Sequence, residues 1–280
     1  MVVEREAVPL GPYRFPGAGR DGVLRRRDGE LVRLLHVESE PVVLRTWPTR
    51  ACVRLQAEAR SREAASAGIE RMRFALGVDH DLSEFHARFR RDPLIGPAIR
   101  ARPWLRPRRR PEPFEALAWA ICEQLIESGR AAAIQRHLVR RFGARSACGT
   151  LRDVPSAERL SGRAPAELAA CGLAPKRALA MIKASREVAT GRADLSRSHE
   201  WAWRRLRTIP NVGSWTVEKL AFEGQGRDDQ LPAGDLAYVK LVGRLAGLGR
   251  RASEDEVRAF FAPYEEYAAL AGVYALRIPS

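Results

Sequence analysis

The stretch Leu206-Arg207-Thr208-Ile209-Pro210-Asn211-Val212-Gly213-Ser214-Trp215-Thr216 constrains this chain more than any other. Pro210 lacks an N–H and clashes with the preceding turn, so a helix arriving through Leu206 must stop there. Asn211 and Gly213 are residue types that accept positive φ in a tight reversal. A second helix then starts near Ser214. The segment is expected to be helix, hairpin, helix. Backbone N–H groups freed at such a hairpin, next to a helix N-terminus, can hold a phosphate. Nineteen residues after Thr216 stands Asp235, preceded by Leu231-Pro232-Ala233-Gly234.

The flanking sequence divides into three parts. Residues 1–90 read as α+β. Asp28-Gly29, between Gly22–Arg27 and Glu30–Val37, is a strong two-residue hairpin signal. Val42–Trp47 and Ala51–Ala57 are further strands, and Arg62–Leu76 is helical, with Ile69, Met72 and Leu76 on one face. Residues 91–113 form a linker rich in proline and arginine, and its Arg100–Pro113 stretch fits neither a regular helix nor a central strand. That linker is either a solvated connector or a strap whose arginines pair with phosphate. Residues 114–280 read as helices joined by short turns. Phe114, Leu117, Ala118, Ile121 and Leu125 share one helical face. Arg130–Phe142, closed by Gly143, is a second helix, and Ala164–Ala170 and Lys176–Ala189 are others. Tyr238, Leu241, Leu245 and Leu248 make a stripe behind Asp235. Ser253 and Glu256 form a capping box. Tyr267, Leu270, Ala271 and Tyr274 belong to the last helix. The fold class expected is mainly α, with a small antiparallel-sheet domain in front.

Charge agrees with a polyanionic partner. The chain has 280 residues, with 48 Lys+Arg against 34 Asp+Glu and a net charge of +14. An ordinary Arg-rich surface is the plainer explanation of the same numbers. No apolar run approaches the roughly 18 residues of a membrane span, and the start Met1-Val2-Val3-Glu4-Arg5-Glu6 does not read as a signal peptide. Cys52, Cys122, Cys148 and Cys171 are too scattered for a disulfide framework or zinc site. The histidines show no ligand spacing. A reduced cytoplasmic protein without a catalytic metal is expected.

These landmarks resemble the helix-hairpin-helix superfamily of DNA base-excision glycosylases, whose hairpin reads Leu-Pro-Gly-(Val/Ile)-Gly-x-(Lys or aromatic)-Thr with a catalytic Asp downstream. Two further stretches are similar to the 3-methyladenine DNA glycosylase II family within it. One is Asp92-Pro93-Leu94 followed by Pro113-Phe114-Glu115-Ala116-Leu117-Ala118-Trp119-Ala120-Ile121-Cys122-Glu123-Gln124-Leu125-Ile126, and the other is Leu168–Ala178 with Gly172 and Lys176-Arg177-Ala178. The resemblance implies a helical glycosylase core from about residue 90 to 275. It implies no iron–sulfur cluster, since no cysteine follows Cys171, and it allows a structural monovalent cation at the hairpin. Its implied partner is double-stranded DNA with damaged bases, bound by a monomer in the cytoplasm at the nucleoid.

On this resemblance Asp235 is the catalytic carboxylate, set to stabilise an oxocarbenium-like sugar. The other reading of Asp235 is a bare helix N-cap. Trp215 stands where lyase members carry a nucleophilic lysine, so water is the expected nucleophile. Trp215, Tyr274, Trp119 and Glu123 are the expected base pocket, though Trp215 also fits a plain core position. Leu125 is the expected DNA wedge, or else the end of its helix stripe. Pro210, Asn211, Val212, Gly213 and Thr216 are the expected phosphate-binding hairpin, with Lys176, Arg177 and Arg207 as added charge or solvated surface. The chain departs from the family at Asn211, Glu123, Glu127 and Lys219, and at Val273-Tyr274 where relatives commonly have a pocket tryptophan. The expected activity is monofunctional removal of alkylated bases of the 3-methyladenine and 7-methylguanine type, by base flipping. A damaged-DNA-binding module without catalysis is the alternative, and a lyase acting on oxidised bases is a third.

Overall fold

A computed structural model describes residues 1–197 and 199–278. Five antiparallel strands come first: β1 (Val2–Ala7), β2 (Arg25–Arg27), β3 (Glu30–Val37), β4 (Glu40–Pro48) and β5 (Val53–Glu58), in the order β1-β5-β4-β3-β2. Asp28 and Gly29 have φ of 48° and 85° and pair Arg27 with Glu30, as a primed hairpin turn requires. A second such turn is at Glu38 and Ser39, with φ of 49° and 71°. β1 had no sequence signal. It is an edge strand with only Val3 and Ala7 buried, paired along β5 from Val2↔Glu58 to Ala7↔Val53. α1 (Arg62–Leu76) packs Ile69 and Met72 into the same apolar cluster as sheet residues Leu35, Val42, Leu44 and Leu55. The Ser61 hydroxyl caps its start and Gly77, at φ 67°, ends it.

The helices follow as α2 (Ser83–Phe89), α3 (Gly96–Ala101), α4 (Pro113–Glu123), α5 (Ser128–Phe142), α6 (Ala157–Ser161), α7 (Pro165–Ala169) and α8 (Pro175–Ala189). After them come α9 (His199–Arg207), α10 (Ser214–Lys219), α11 (Leu236–Leu245), α12 (Glu254–Phe261) and α13 (Ala268–Ala275). α10 runs straight on into a π-helical turn, Leu220–Gly224. Two apolar clusters organise them. One gathers α4, α5, α8, α9 and α10 around Leu117, Leu138, Met181, Leu206 and Val217. The other gathers α2, α3, α11, α12 and α13 around Phe85, Ile99, Leu241, Phe261 and Tyr274. The hairpin's Ile209 and Val212 belong to the first, and Tyr238, on the helix that Asp235 opens, belongs to the second. The junction of the two clusters is where the conspicuous motifs meet.

The proline- and arginine-rich segment differs from both of its expected readings. Its early part is helical in α3, and Arg109 and Arg110 are only 7% and 4% exposed. Arg109 pairs with Asp228 and donates to the Phe222 carbonyl. Arg110 Nη1 lies 2.8 Å from Asp21 and 3.0 Å from Glu115, and its Nε is 3.7 Å from Glu223. Arg33 on β3 also pairs with Glu115. Burial raises the Asp21 carboxyl, but Arg110 and Arg33 outweigh it and hold the group below the usual carboxylate range. One buried ionic network thus ties sheet, linker, α4 and the π-helical turn. The sign in the sequence was Glu115, an acid among the apolar residues of α4. Gly143 also ends α5 for an unexpected reason. Its φ is −66°, so no left-handed turn is needed. A Cβ there would lie 2.2 Å from the Asp153 carbonyl oxygen and 2.5 Å from that of Val139.

Removing one partner of a buried ion pair strands the other charge in a low-dielectric interior. Arg110→Ala should therefore destabilise the fold by about 3–5 kcal/mol in urea unfolding, and a loss under about 1 kcal/mol would show the network to be solvent-screened.

Candidate active site

The hairpin is built from beneath. Ile209 and Val212 are buried, while Pro210, Asn211 and Gly213 are exposed. Asn211 takes φ 68°, within the range its short polar side chain tolerates. Gly213 does not use its freedom: its φ is −95° and ψ −172°. A Cβ at Gly213 would meet nothing of the protein within 4 Å. A side chain there would obstruct only a group arriving from outside. The first N–H groups of a helix have no intrahelical acceptor, and those of Gly213, Ser214 and Trp215 find none elsewhere among the described residues. Val217 N–H is the one that closes on the Gly213 carbonyl, at 3.3 Å.

Two of the expected phosphate contacts, the Val212 N–H and the Thr216 hydroxyl, are engaged within the protein. The Val212 N–H already donates to the Ile209 carbonyl at 3.0 Å. Thr216 is 2% exposed, and its hydroxyl accepts from Gln124 Nε2 at 2.8 Å. The Thr216 side chain anchors the hairpin inward.

Leu125 is not the last residue of the α4 stripe. α4 ends at Glu123, and Leu125 is 104% exposed at φ 52°. A leucine in that region carries backbone strain on the order of 1–3 kcal/mol. Its neighbour Gln124 holds it there, with Nε2 donating to the Asn211 carbonyl and to Thr216 Oγ1, each at 2.8 Å. Arg177 Nη1 donates to the carbonyls of Cys122 and Gln124, each at 3.0 Å. Arg177 is thus partly buried, with Nη1 engaged by the protein and its other guanidinium N–H groups left free of protein partners among the described residues. Sequence reasoning quoted Gln124 without assigning it a task; its only signal was its place beside Leu125.

Asp235 faces the hairpin from the start of α11. One carboxylate oxygen accepts the Ala237 N–H at 2.9 Å, the N-cap bond. The other lies 3.3 Å from Trp215 Nε1, which donates to it. Cap and neighbour of Trp215 are thus compatible roles for one side chain. α10 is fastened to α12 by Glu218–Arg258 at 2.8 Å and by Ser214 Oγ to Glu254 at 3.2 Å, which fixes the Trp215 to Asp235 approach.

Of the four expected pocket residues, Trp215 touches Asp235, Glu123 is linked to Trp215 only through Lys219, and Trp119 and Tyr274 are buried elsewhere. Trp215 is half-buried, and Lys219 Nζ stands 5.9 Å from its ring centre. Lys219 pairs with Glu223 one turn on and with Glu123 at 3.2 Å. Burial lowers the Lys219 ammonium, but the two glutamates outweigh it and hold it above the usual lysine range. Glu123 also accepts from Gln135 Nε2 at 3.2 Å. Trp119 is 1% exposed and donates to Asp21 at 3.1 Å. Tyr274 is fully buried, and its hydroxyl donates to the Leu105 carbonyl at 2.9 Å. Trp119 and Tyr274 are core residues and line no open site. An apolar stripe reveals a buried face without telling core from pocket. Among the described residues, no group of three or more His, Cys, Asp or Glu is arranged to hold a metal ion, and no helix is long and apolar enough to cross a membrane.

The profile of the HhH-GPD superfamily base excision DNA repair protein family matches residues 118–266. DNA-3-methyladenine glycosylase of Bacillus subtilis is 25% identical over 209 residues, covering 72% of this chain and 68% of that protein. DNA-3-methyladenine glycosylase 2 of Escherichia coli is 30% identical over 179 residues, 61% of this chain and 60% of that protein. Among solved structures, the 3-methyladenine DNA-glycosylase from Archaeoglobus fulgidus superposes with TM-score 0.77 at 18% identity, covering 98% of this chain and 96% of its own. An 8-oxoguanine glycosylase/lyase of Clostridium acetobutylicum gives 0.72 at 15% identity, covering 92% and 88%. These two likenesses are of fold. The family match spans more than half of the chain and includes Leu125, the hairpin and Asp235: the chain belongs to the HhH-GPD superfamily of base excision DNA repair proteins.

Proposed function

We propose that the chain is a monofunctional DNA glycosylase that hydrolyses the N-glycosidic bond of alkylated bases in duplex DNA. The substrates are of the 3-methyladenine and 7-methylguanine type. The carrying observation is the Asp235 carboxylate, 3.3 Å from the indole N–H of Trp215 on the second hairpin helix. The names of the Bacillus and Escherichia relatives support the substrate class.

The chemistry follows from the parts. The unspent N–H groups of Gly213, Ser214 and Trp215 take a backbone phosphate. Exposed Leu125 enters the stack and offsets part of the few kcal/mol, roughly, that unstacking a nucleotide costs. The everted nucleotide places C1′ by Asp235. Methylation at N3 or N7 leaves the base cationic. Its bond to C1′ breaks with the electron pair going to the base, which departs neutral and needs no added proton. Positive charge then develops on the sugar, where the Asp235 carboxylate stabilises it. A water oxygen bonds to C1′, its proton passes to Asp235 or solvent, and an abasic site remains. The Trp215 ring attracts a cationic base through its π face.

Two other readings fit less well. A lyase needs an amine with a free electron pair at C1′. The Trp215 indole nitrogen is only a donor, and Lys219 is a protonated ammonium held between two glutamates. A binding module without catalysis gains nothing from an acid beside its phosphate-holding loop, because the carboxylate repels the phosphates. The protein is proposed to act as a monomer, with its net charge of +14 favouring the duplex.

Duplexes that each carry one defined alkylated base test this directly. Strands should stay intact after incubation with the purified protein and break only on alkali treatment, with no borohydride-trapped adduct. Nicking without alkali, or an adduct lost in Lys219→Ala, would make the protein a lyase. Leu125→Ala should slow excision of a well-paired lesion by about tenfold and of a mismatched one far less, because the mismatch needs less help to unstack. Equal slowing on both substrates would return Leu125 to a purely structural role.

A further inference from the structure

Glu123 and Lys219 are the two departures from the family pattern that the fold brings into contact, at 3.2 Å. They lie on a continuous path of side chains. Asp235 touches Trp215, Lys219 stands over the Trp215 ring, Glu123 pairs with Lys219, and Gln124-Leu125 follows Glu123 directly. A nucleotide leaving the gap that Leu125 fills, with its C1′ arriving at Asp235, carries its base along this path.

The pair also has unspent hydrogen-bonding capacity. Lys219 has three ammonium hydrogens and two carboxylate partners, Glu223 and Glu123. The Glu123 carboxylate has about four acceptor sites and two donors, Gln135 and Lys219. Both side chains keep partial exposure, 16% for Lys219 and 24% for Glu123. The ammonium is fixed from behind by Glu223, which itself lies 3.7 Å from Arg110 in the buried network. The result is one donor and one acceptor side by side, on a rigid backing.

We infer that Glu123 and Lys219 together read the N1/C6 edge of the everted base, and that they select alkylated adenines in which this edge is unblocked. An intact edge always offers a neighbouring donor and acceptor. In 3-methyladenine these are the C6 amino group and N1. In 7-methylguanine the order is reversed, with N1–H the donor and the C6 carbonyl oxygen the acceptor, so the same fixed pair favours the adenine edge. A purine methylated at N1 has no acceptor there and presents a methyl group instead. It leaves one of the two charged groups without a partner and forces its methyl against it, and an unmet hydrogen bond to a charged group is costly.

This inference rests on the glycosylase reading above, and a comparison of two isomers separates them. DNA carrying 3-methyladenine and 1-methyladenine presents two N-methylated adenines of the same charge, one with an intact edge and one blocked. The release rates of both bases by wild type, Lys219→Met and Glu123→Gln are measured in the same reactions, so any loss of folded enzyme cancels in the ratio. Wild type should release 3-methyladenine much faster than 1-methyladenine, and each variant should lower that ratio by about tenfold or more. A ratio unchanged in both variants, or wild type releasing both isomers equally fast, overturns the edge-reading role and leaves the glycosylase reading intact. Release of neither base by wild type overturns the glycosylase reading itself.

Discussion

The side-chain amide of Gln124 is the joint on which the site depends. Its two hydrogens go to the Asn211 carbonyl and to the Thr216 hydroxyl. They fasten the end of α4 to the hairpin between α9 and α10. This tie adds a directional bond to the apolar packing of α4 against the hairpin, and sets where Leu125 stands relative to the loop proposed to hold phosphate. The left-handed backbone of Leu125 is unfavourable by itself. Gln124 from one side and Arg177 from the other, through the Cys122 and Gln124 carbonyls, offset it with hydrogen bonds that the loop forms only in this shape. The strain is thus stored in a rigid setting, where an exposed apolar side chain can act on a partner without rearranging.

Behind this joint lies an unusual amount of buried charge. Arg33, Arg109, Arg110 and Lys219 meet Asp21, Glu115, Asp228, Glu223 and Glu123 between the sheet, the linker and the helical core. Such pairs are poor sources of stability compared with well-packed apolar groups. Their effect here is positional. The π-helical turn Leu220–Gly224 keeps Glu223 within reach of both Lys219 and Arg110. The network thereby sets the height of Lys219 over Trp215, whose indole N–H is turned to Asp235. The site is assembled across the two apolar clusters, with the hairpin on one and α11 on the other.

Much of the architecture was legible because single residue types decided it. Asp28-Gly29 permits positive φ at two successive positions, Ser61 and Gly77 bracket α1, and Ser253 with Glu256 caps α12. Pro210 and Asn211 placed the hairpin, and Asp235 was readable both as a cap and as an acid near it. What stayed hidden depends on contacts distant in sequence. β1 exists because β5 offers it an edge. Arg109 and Arg110 are buried because acids from four segments surround them. Trp119 and Tyr274 fit a pocket by composition, and only the packing around them shows that their polar atoms are already spent on Asp21 and Leu105. The Thr216 side chain is buried for the same kind of reason, because its hydroxyl oxygen accepts from Gln124, 92 residues away in sequence.

The central claim is that the Asp235 carboxylate acts on the sugar and does more than cap α11. Asparagine caps a helix as well as aspartate does, so Asp235→Asn keeps the fold while removing the negative charge. Single-turnover excision of an alkylated base and affinity for a duplex with an abasic site are measured on the same preparation. The expected result is an excision rate lower by at least about a hundredfold, with duplex affinity within a few fold of wild type. Excision by the Asn variant at near wild-type rate would contradict it.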